Sequence, residues 1–164
     1  MIIIGVDPGY DKFGVAVVDN QSGGDELLYS GCIRTSAKTT FSERLLSIGK
    51  EFQTLIDKFK PQALAIEKLF FTTNQKTAMG VSEAKGMATY IAMANGLKVF
   101  EFTPLQMKMA IVGYGKAEKS QVSKMIPFLI KNWKTIDKKK VEDDEFDAIG
   151  MALTGLATYR GLAK

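Results

Sequence analysis

The chain opens on an unbroken apolar run, residues 2–6, and a second one extends from Phe13 to Val18. Between them stand Asp7, Pro8, Gly9, Tyr10, Asp11 and Lys12, the composition of a turn, and Gly14 interrupts the second run. Short apolar runs bounded by such clusters predict two strands joined by a turn. The polar cluster Asn20 to Asp25 predicts another turn before a third strand, Leu27 to Ile33, so the chain begins as an antiparallel meander. From Phe41 the period changes. Phe41, Leu45, Ile48, Phe52, Leu55, Ile56 and Phe59 recur every three or four residues, with Pro61 just beyond, which is the pattern of an amphipathic helix. Ala63 to Ile66 then reads as a short buried strand, Gln75 to Asn95 as a helix, and Leu97 to Phe102 as a strand closed by Thr103 and Pro104.

This order predicts an α/β fold: a mixed five-stranded sheet, three antiparallel N-terminal strands plus parallel strands linked by right-handed crossovers, flanked by helices. Further helices are predicted over Pro104 to Val112 and Ala117 to Trp133, separated by Gly113, Tyr114 and Gly115, with Pro127 perturbing the second. Lys131 to Lys140 is a basic stretch read as a surface loop, and a last helix begins near Asp143 or Asp144.

Composition narrows the function classes. With 164 residues, 46% of them hydrophobic, and no internal repeat, one globular domain spanning 1–164 is expected. Lys and Arg number 22 against 18 acids, a net charge of +4 that suits a polyanionic partner but does not by itself separate a nuclease from any basic protein. Cys32 is the single cysteine and lies in an apolar run, which reads as packing and fits a reducing compartment. Histidine is absent, which removes imidazole bases, His-based zinc sites and Ser-His-Asp triads. Chemistry must come from carboxylates, lysines or hydroxyls. No apolar stretch approaches the ~20 residues of a membrane span, so a cytoplasmic protein with no membrane partner is expected.

Three groups of acids stand out. Asp7 ends the first strand, where it is either a turn residue before Pro8 and Gly9 or a placed carboxylate. Glu67 ends the strand Ala63 to Ile66, and ligand sites in α/β sheets favour the carboxyl ends of parallel strands. Glu142, Asp143, Asp144, Glu145 and Asp147 crowd the start of the last helix, where the macrodipole alone would favour them. Asp144 and Asp147, three apart, share a helical face with Ala148, Met151 and Ala152 and so would turn toward the sheet. Carboxylates gathered there beside Asp7 and Glu67 repel unless a cation binds them, and an oxygen-only set suits Mg²⁺, with Mn²⁺ able to substitute.

The fragments VDPGYDKFGVAV, YSGCIRT, RLLSI, AIEKLFFTTNQKTA, KVFEFTPLQMK, VGYGKAEKSQV and DDEFDAIGMAL occur in this order over nearly the whole chain, and together they resemble the RuvC family of Holliday junction resolvases. The resemblance implies an RNase H-like fold, a homodimer, and a catalytic and metal-binding tetrad of Asp7, Glu67, Asp144 and Asp147 holding two ions per subunit. It implies a Mg-dependent endonuclease that resolves four-way DNA junctions by paired symmetric nicks, leaving 5′-phosphate and 3′-hydroxyl ends. Junction-binding and branch-migration proteins are then expected as further partners.

Lys108, Lys116 and Lys119, around the Gly113 and Gly115 break, match positions that contact phosphates in the family; a solvated helix face is the other reading and the favoured one for Lys116. Phe70 and Phe71, with Lys85, complete the expected DNA-binding set. For Phe70 the resemblance implies insertion at the junction centre, whereas aromatics after a strand are otherwise core. The helix Gln75 to Asn95, rich in Ala, Gly and Met, is either core or a subunit interface, the reading the resemblance favours.

Two departures are visible. Ser82, Glu83, Ala84, Lys85 and Gly86 stand where the family has Gly-Gln-Ala-Arg-Gly, and Thr154 and Gly155 stand where its last block closes on histidine. Three other functions are weighed. An actin-like or sugar-kinase-like ATPase would need a second similar domain. A non-catalytic junction-binding protein would have no use for four acids, and a broader RNase H-like nuclease acting on flaps or hybrids would use the same ones.

Overall fold

The computed structural model describes all residues except Ser22, Phe70 to Asn74, Asp137 to Lys140, Ala163 and Lys164. The meander is β1 (Ile2–Asp7), β2 (Lys12–Gln21) and β3 (Gly24–Arg34); α1 (Phe41–Phe59) leads to β4 (Ala63–Glu67), and α2 (Gln75–Ala94) to β5 (Lys98–Phe102). The sheet has the order β3-β2-β1-β4-β5, with β1–β2 and β2–β3 antiparallel and β1–β4 and β4–β5 parallel. Both hairpin strands run further into the turn than the apolar runs reach, because Asn20 pairs with Asp25 and its side-chain amide donates to the Asp25 carboxylate.

The two faces of the sheet differ in side-chain size, and that difference places the last helix. Ile4, Val6, Val15, Val17, Leu64 and Ile66 face α1 and α2, where they pack with Ile48, Phe52, Ala84 and Ala88. The opposite face carries the smaller Ala16, Ala63 and Ala65 with Ile3, and larger residues on it are Val18, Leu27 and Phe102. Against it lie α3 (Pro104–Val112), α4 (Lys119–Leu129) and α5 (Asp143–Leu162). Glycines let α5 come closer still. A Cβ on Gly5 would collide with the carbonyl oxygen of Ala148 and the amide nitrogen of Ala152, and one on Gly14 with the carbonyl of Asp144. Glycine within a strand is otherwise unfavourable, and here it marks a close backbone approach. The helix thus crosses β2 at Asp144, β1 at Ala148 and Ala152, and β4 at Gly155, which rests on Ala65.

Some boundaries differ from expectation. The predicted helix Ala117 to Trp133 spans only Lys119–Leu129, because Glu118 and Gln121 form a capping box at its start and Ile130 leaves it to bridge Asp25. Pro127 lies inside it, and the helix ends two residues later. Trp133 belongs to a short 3₁₀ turn, Trp133–Thr135, within the stretch predicted as surface loop. Trp133 stacks on Phe146 at 5.9 Å between centroids, and Ile136 packs with it against the core, so the apolar residues of that stretch support α5. Its basic end, residues 137–140, lies outside the described residues. Thr154 is buried and donates to the carbonyl of Gly150, a bond within α5.

Candidate active site

Parallel pairing runs in step from Ile3 with Ala63 to Val6 with Ile66, so Asp7 and Glu67, each the next residue, end adjacent strands at one edge of the sheet. Both follow a residue facing α1 and α2, and strand alternation turns them to the face that α5 covers. The approach of α5 over Gly14 brings Asp147 to the cleft that Glu67 lines and puts Asp144 where its charge acts on Asp7.

The electrostatics register this gathering. Asp7 is pushed up from 3.8 to about 7, first by burial and then by the charges of Asp147, Glu67 and Asp144; Lys119 opposes the rise. Burial raises Glu67, with Asp147 adding to it and Lys119 and Lys85 working against it. Burial likewise raises Asp147, against a hydrogen bond from Lys119. Desolvation and like charge both disfavour the ionised forms, as expected of carboxylates held ready for a cation.

The five acids at the head of α5 divide by direction. Glu142 pairs with Arg34 and lies 3.6 Å from Lys12, and the Arg34 hydrogen bond holds its carboxyl below the usual range. Asp143 is exposed. Asp144 adds its charge to those acting on Asp7 and lies 3.9 Å from the Lys12 ammonium. Glu145 is buried and accepts a 2.9 Å hydrogen bond from Ser30 on β3. Asp147 accepts a 2.7 Å contact from Lys119. Helical spacing sets Asp147 on one face with both Asp143 and Asp144, and the structure adds that Asp143 is exposed and that Glu145 is held by Ser30.

An open cleft of about 230 Å³ lies beside two of the four acids, Glu67 and Asp147, with Met107, Lys108, Lys119 and Met151 also in its wall. Lys108 is half-buried in its wall, Lys119 stands at its acids, and Lys116 is exposed nearby on the α3–α4 connection. Lys85 sits differently. Its ammonium is 2.9 Å from Glu101 on β5 and its side chain is only 14% exposed, so it is committed to an ion pair between α2 and the sheet edge rather than displayed to a ligand. Phe70 and Phe71 lie outside the described residues.

Among the described residues, potential ligand atoms of Cys32, Glu142 and Asp144 also lie within 4.8 Å of one another. Chemistry disfavours that trio as a metal centre: burial and the neighbouring acids push the Cys32 thiol up to about 11, and Glu142 is already neutralised by Arg34 and Lys12. Cys32, expected as packing, is half-buried beside the acids.

Sequence reasoning passed over Lys12, Arg34 and Arg44. Arg44 is buried and ties α1 to the β1–β2 turn through Thr35, the carbonyl of Tyr10 and the carboxylate of Asp11. Its signal was an arginine at a buried spacing of an amphipathic helix.

A mixed sheet of this order, with acids at the carboxyl ends of its two central parallel strands and on a helix crossing them, defines the RNase H-like class of α/β proteins. The family model described as crossover junction endodeoxyribonuclease RuvC matches residues 3–155, and the chain belongs to that family. Crossover junction endodeoxyribonuclease RuvC of Ruminiclostridium cellulolyticum is 42% identical over 153 residues, 93% of this chain and 90% of the relative. The protein of the same name from Natranaerobius thermophilus is 39% identical over 98% of this chain and 97% of its own length. Among solved structures, T. thermophilus RuvC in complex with Holliday junction substrate superposes with a TM-score of 0.88 at 28% identity, covering 99% of this chain and 96% of that one. The yeast mitochondrial Holliday junction resolvase Ydc2, 18% identical with a TM-score of 0.63 over 98% of this chain and 82% of its own, shares the fold.

Proposed function

We propose that this protein is a Mg²⁺-dependent endonuclease that resolves four-way DNA junctions as a homodimer by paired symmetric nicks. The observation that carries the proposal is the set of Asp7, Glu67, Asp144 and Asp147 at one sheet edge, with Asp7 pushed up to about 7 by burial and its three neighbours.

The donor set fits the metal. Asp7 and the three carboxylates that add their charges around it offer only hard oxygen ligands, a donor set that suits Mg²⁺ or Mn²⁺. Such ions supply a water acidified for attack on phosphorus and charge to stabilise the leaving oxygen. The chain's own residues do the rest. Asp7 and Glu67, fixed by strand pairing, give the site a rigid floor, and α5 closes it from one side. Lys108 and Lys119 border the cleft and Lys116 is exposed on the α3–α4 connection, a set suited to phosphate oxygens. Phe70 and Phe71 follow Glu67 by three and four residues, which suits aromatic contact with bases close to the cut.

Pairing of the nicks needs two sites in fixed relation, and α2 supports a subunit interface. One side packs Ala84, Ala88 and Ala92 into the core, while Met79, Glu83, Gly86, Tyr90 and Met93 line the other at alternating four- and three-residue steps. Met79, Tyr90 and Met93 are 66%, 74% and 65% exposed, a large apolar display for one helix. Among the described residues no helix is long and apolar enough to cross a membrane.

The test compares cleavage of a four-way junction, a flap and an RNA–DNA hybrid of matched sequence with Mg²⁺. Junction cutting in symmetric pairs with little cutting of the others is expected. Equal cutting of all three would identify a broader RNase H-like nuclease, and binding without cutting a junction-binding protein.

A further inference from the structure

Lys119 occupies an unusual place for a lysine. It is the first residue of α4, where the positive end of the helix dipole disfavours a cation, and the acid at that helix start, Glu118, is the N-cap and forms a capping box with Gln121. What holds it is the neighbouring helix. Its ammonium is 2.7 Å from Asp147 and 3.8 Å from Asp143, and its charge also acts on Asp7 and Glu67. The stem lies in the cleft wall together with Glu67, Lys108 and Asp147, while 54% of the side chain remains in contact with solvent. One cation therefore stands among Asp7, Glu67 and Asp147 on a flexible four-carbon tether, while Asp144 has Lys12 at 3.9 Å.

We infer that Lys119 is a resident counter-cation of the metal-free site, which metal displaces from Asp147 and which is thereby released to a phosphate of the bound DNA. This rests on the reading of the four acids as metal ligands. An ammonium in hydrogen-bond contact with the Asp147 carboxylate and a hard cation seek the same oxygen lone pairs, and two positive charges do not share them without repulsion. Displacement leaves the ammonium at the open side of the cleft with its charge unpaired, where a phosphate oxygen is the natural partner. Metal loading and phosphate contact are then linked: a site without metal holds its lysine back from DNA, and a loaded one presents it.

The linkage predicts that the protein binds metal more weakly than its acids alone would. The measurement is calorimetric titration of the full chain with Mg²⁺, without DNA, for wild type, Lys119→Met, Lys119→Arg and Asp147→Asn. Lys124→Met, which removes the same charge from an exposed position on the same helix, serves as the control. A thermal melt in chelator verifies that each variant is folded. Lys119→Met is expected to bind Mg²⁺ about two- to fivefold more tightly than wild type, the worth of one solvent-exposed ion pair. Lys119→Arg should restore wild-type affinity, and Lys124→Met should move it less than Lys119→Met does. Equal or weaker binding by folded Lys119→Met, with wild type binding and Asp147→Asn impaired, would overturn the counter-cation and leave the carboxylate site standing. Absence of Mg²⁺ binding by wild type, or undiminished binding by Asp147→Asn, would overturn the carboxylate reading and this inference with it.

Discussion

Gly14 on β2 lies directly beneath the backbone of Asp144, so close that a Cβ there would meet the Asp144 carbonyl oxygen. One hydrogen in place of a methyl group sets the height of α5 above the sheet, and with it the distance from Asp144 to Asp7. Gly14→Ala must lift the head of the helix. Overpacking of this kind costs about 1–3 kcal/mol, and the displaced acid should lower cleavage far more than that loss of stability explains. Chemical denaturation and single-turnover cleavage of the same preparation check it, and a folded Gly14→Ala with wild-type cleavage would show that the close approach does not matter to the site.

Asp7 makes the stability of the metal-free protein depend on pH. Its carboxyl, at about 7 when folded against 3.8 ordinarily, keeps a proton through a range in which the unfolded chain has released it. That contribution is whole below about pH 4 and is lost as the pH rises through about 7, an effect on the order of a few kcal/mol. In chelator, urea unfolding should therefore show wild type losing stability between pH 5 and pH 8. Asp7→Asn should lose less and be the more stable of the two at pH 8. Parallel profiles for the two proteins would contradict the crowding of charge around Asp7.

The exposed side of α2 should govern assembly. Tyr90→Asp or Met93→Glu places a charge among the apolar residues of that stripe, while the buried Ala84, Ala88 and Ala92 are untouched. Light scattering should report a dimer for wild type and a monomer for either variant. Melting should shift only by what loss of the partner accounts for. A wild-type monomer, or a variant that remains dimeric, would move the interface elsewhere.

Much of this molecule is legible in its sequence because pattern and fold agree. The meander, the amphipathic α1 and the order of strands and helices follow from period two giving way to period 3.6, and the acids Asp7 and Glu67 announce themselves by ending buried strands. Spacing puts Asp147 on one face with both Asp143 and Asp144, and the exposure of Asp143 in the structure parts those two. What hid was set by tertiary contact. Nothing local tells that Glu145 turns under the helix to Ser30, that Lys85 is taken up by Glu101, or that Trp133 leaves a basic stretch to stack on Phe146. The capping box of Glu118 and Gln121, which shortens α4, was readable as sequence, but apolar residues on either side obscured it.

The central claim is that Asp7, Glu67, Asp144 and Asp147 act together as the cutting site while other residues hold the DNA. Its most direct test is single-turnover cleavage of a four-way junction with Mg²⁺ by wild type, Asp7→Asn, Glu67→Gln, Asp144→Asn and Asp147→Asn, with junction binding measured in parallel. Wild type should cut in symmetric pairs, and each variant should lose cleavage by at least about a hundredfold, or roughly 2.7 kcal/mol of transition-state stabilisation, while still binding the junction. Cleavage at the wild-type rate by any one of the four would remove that residue from the site, and by all four would contradict the account.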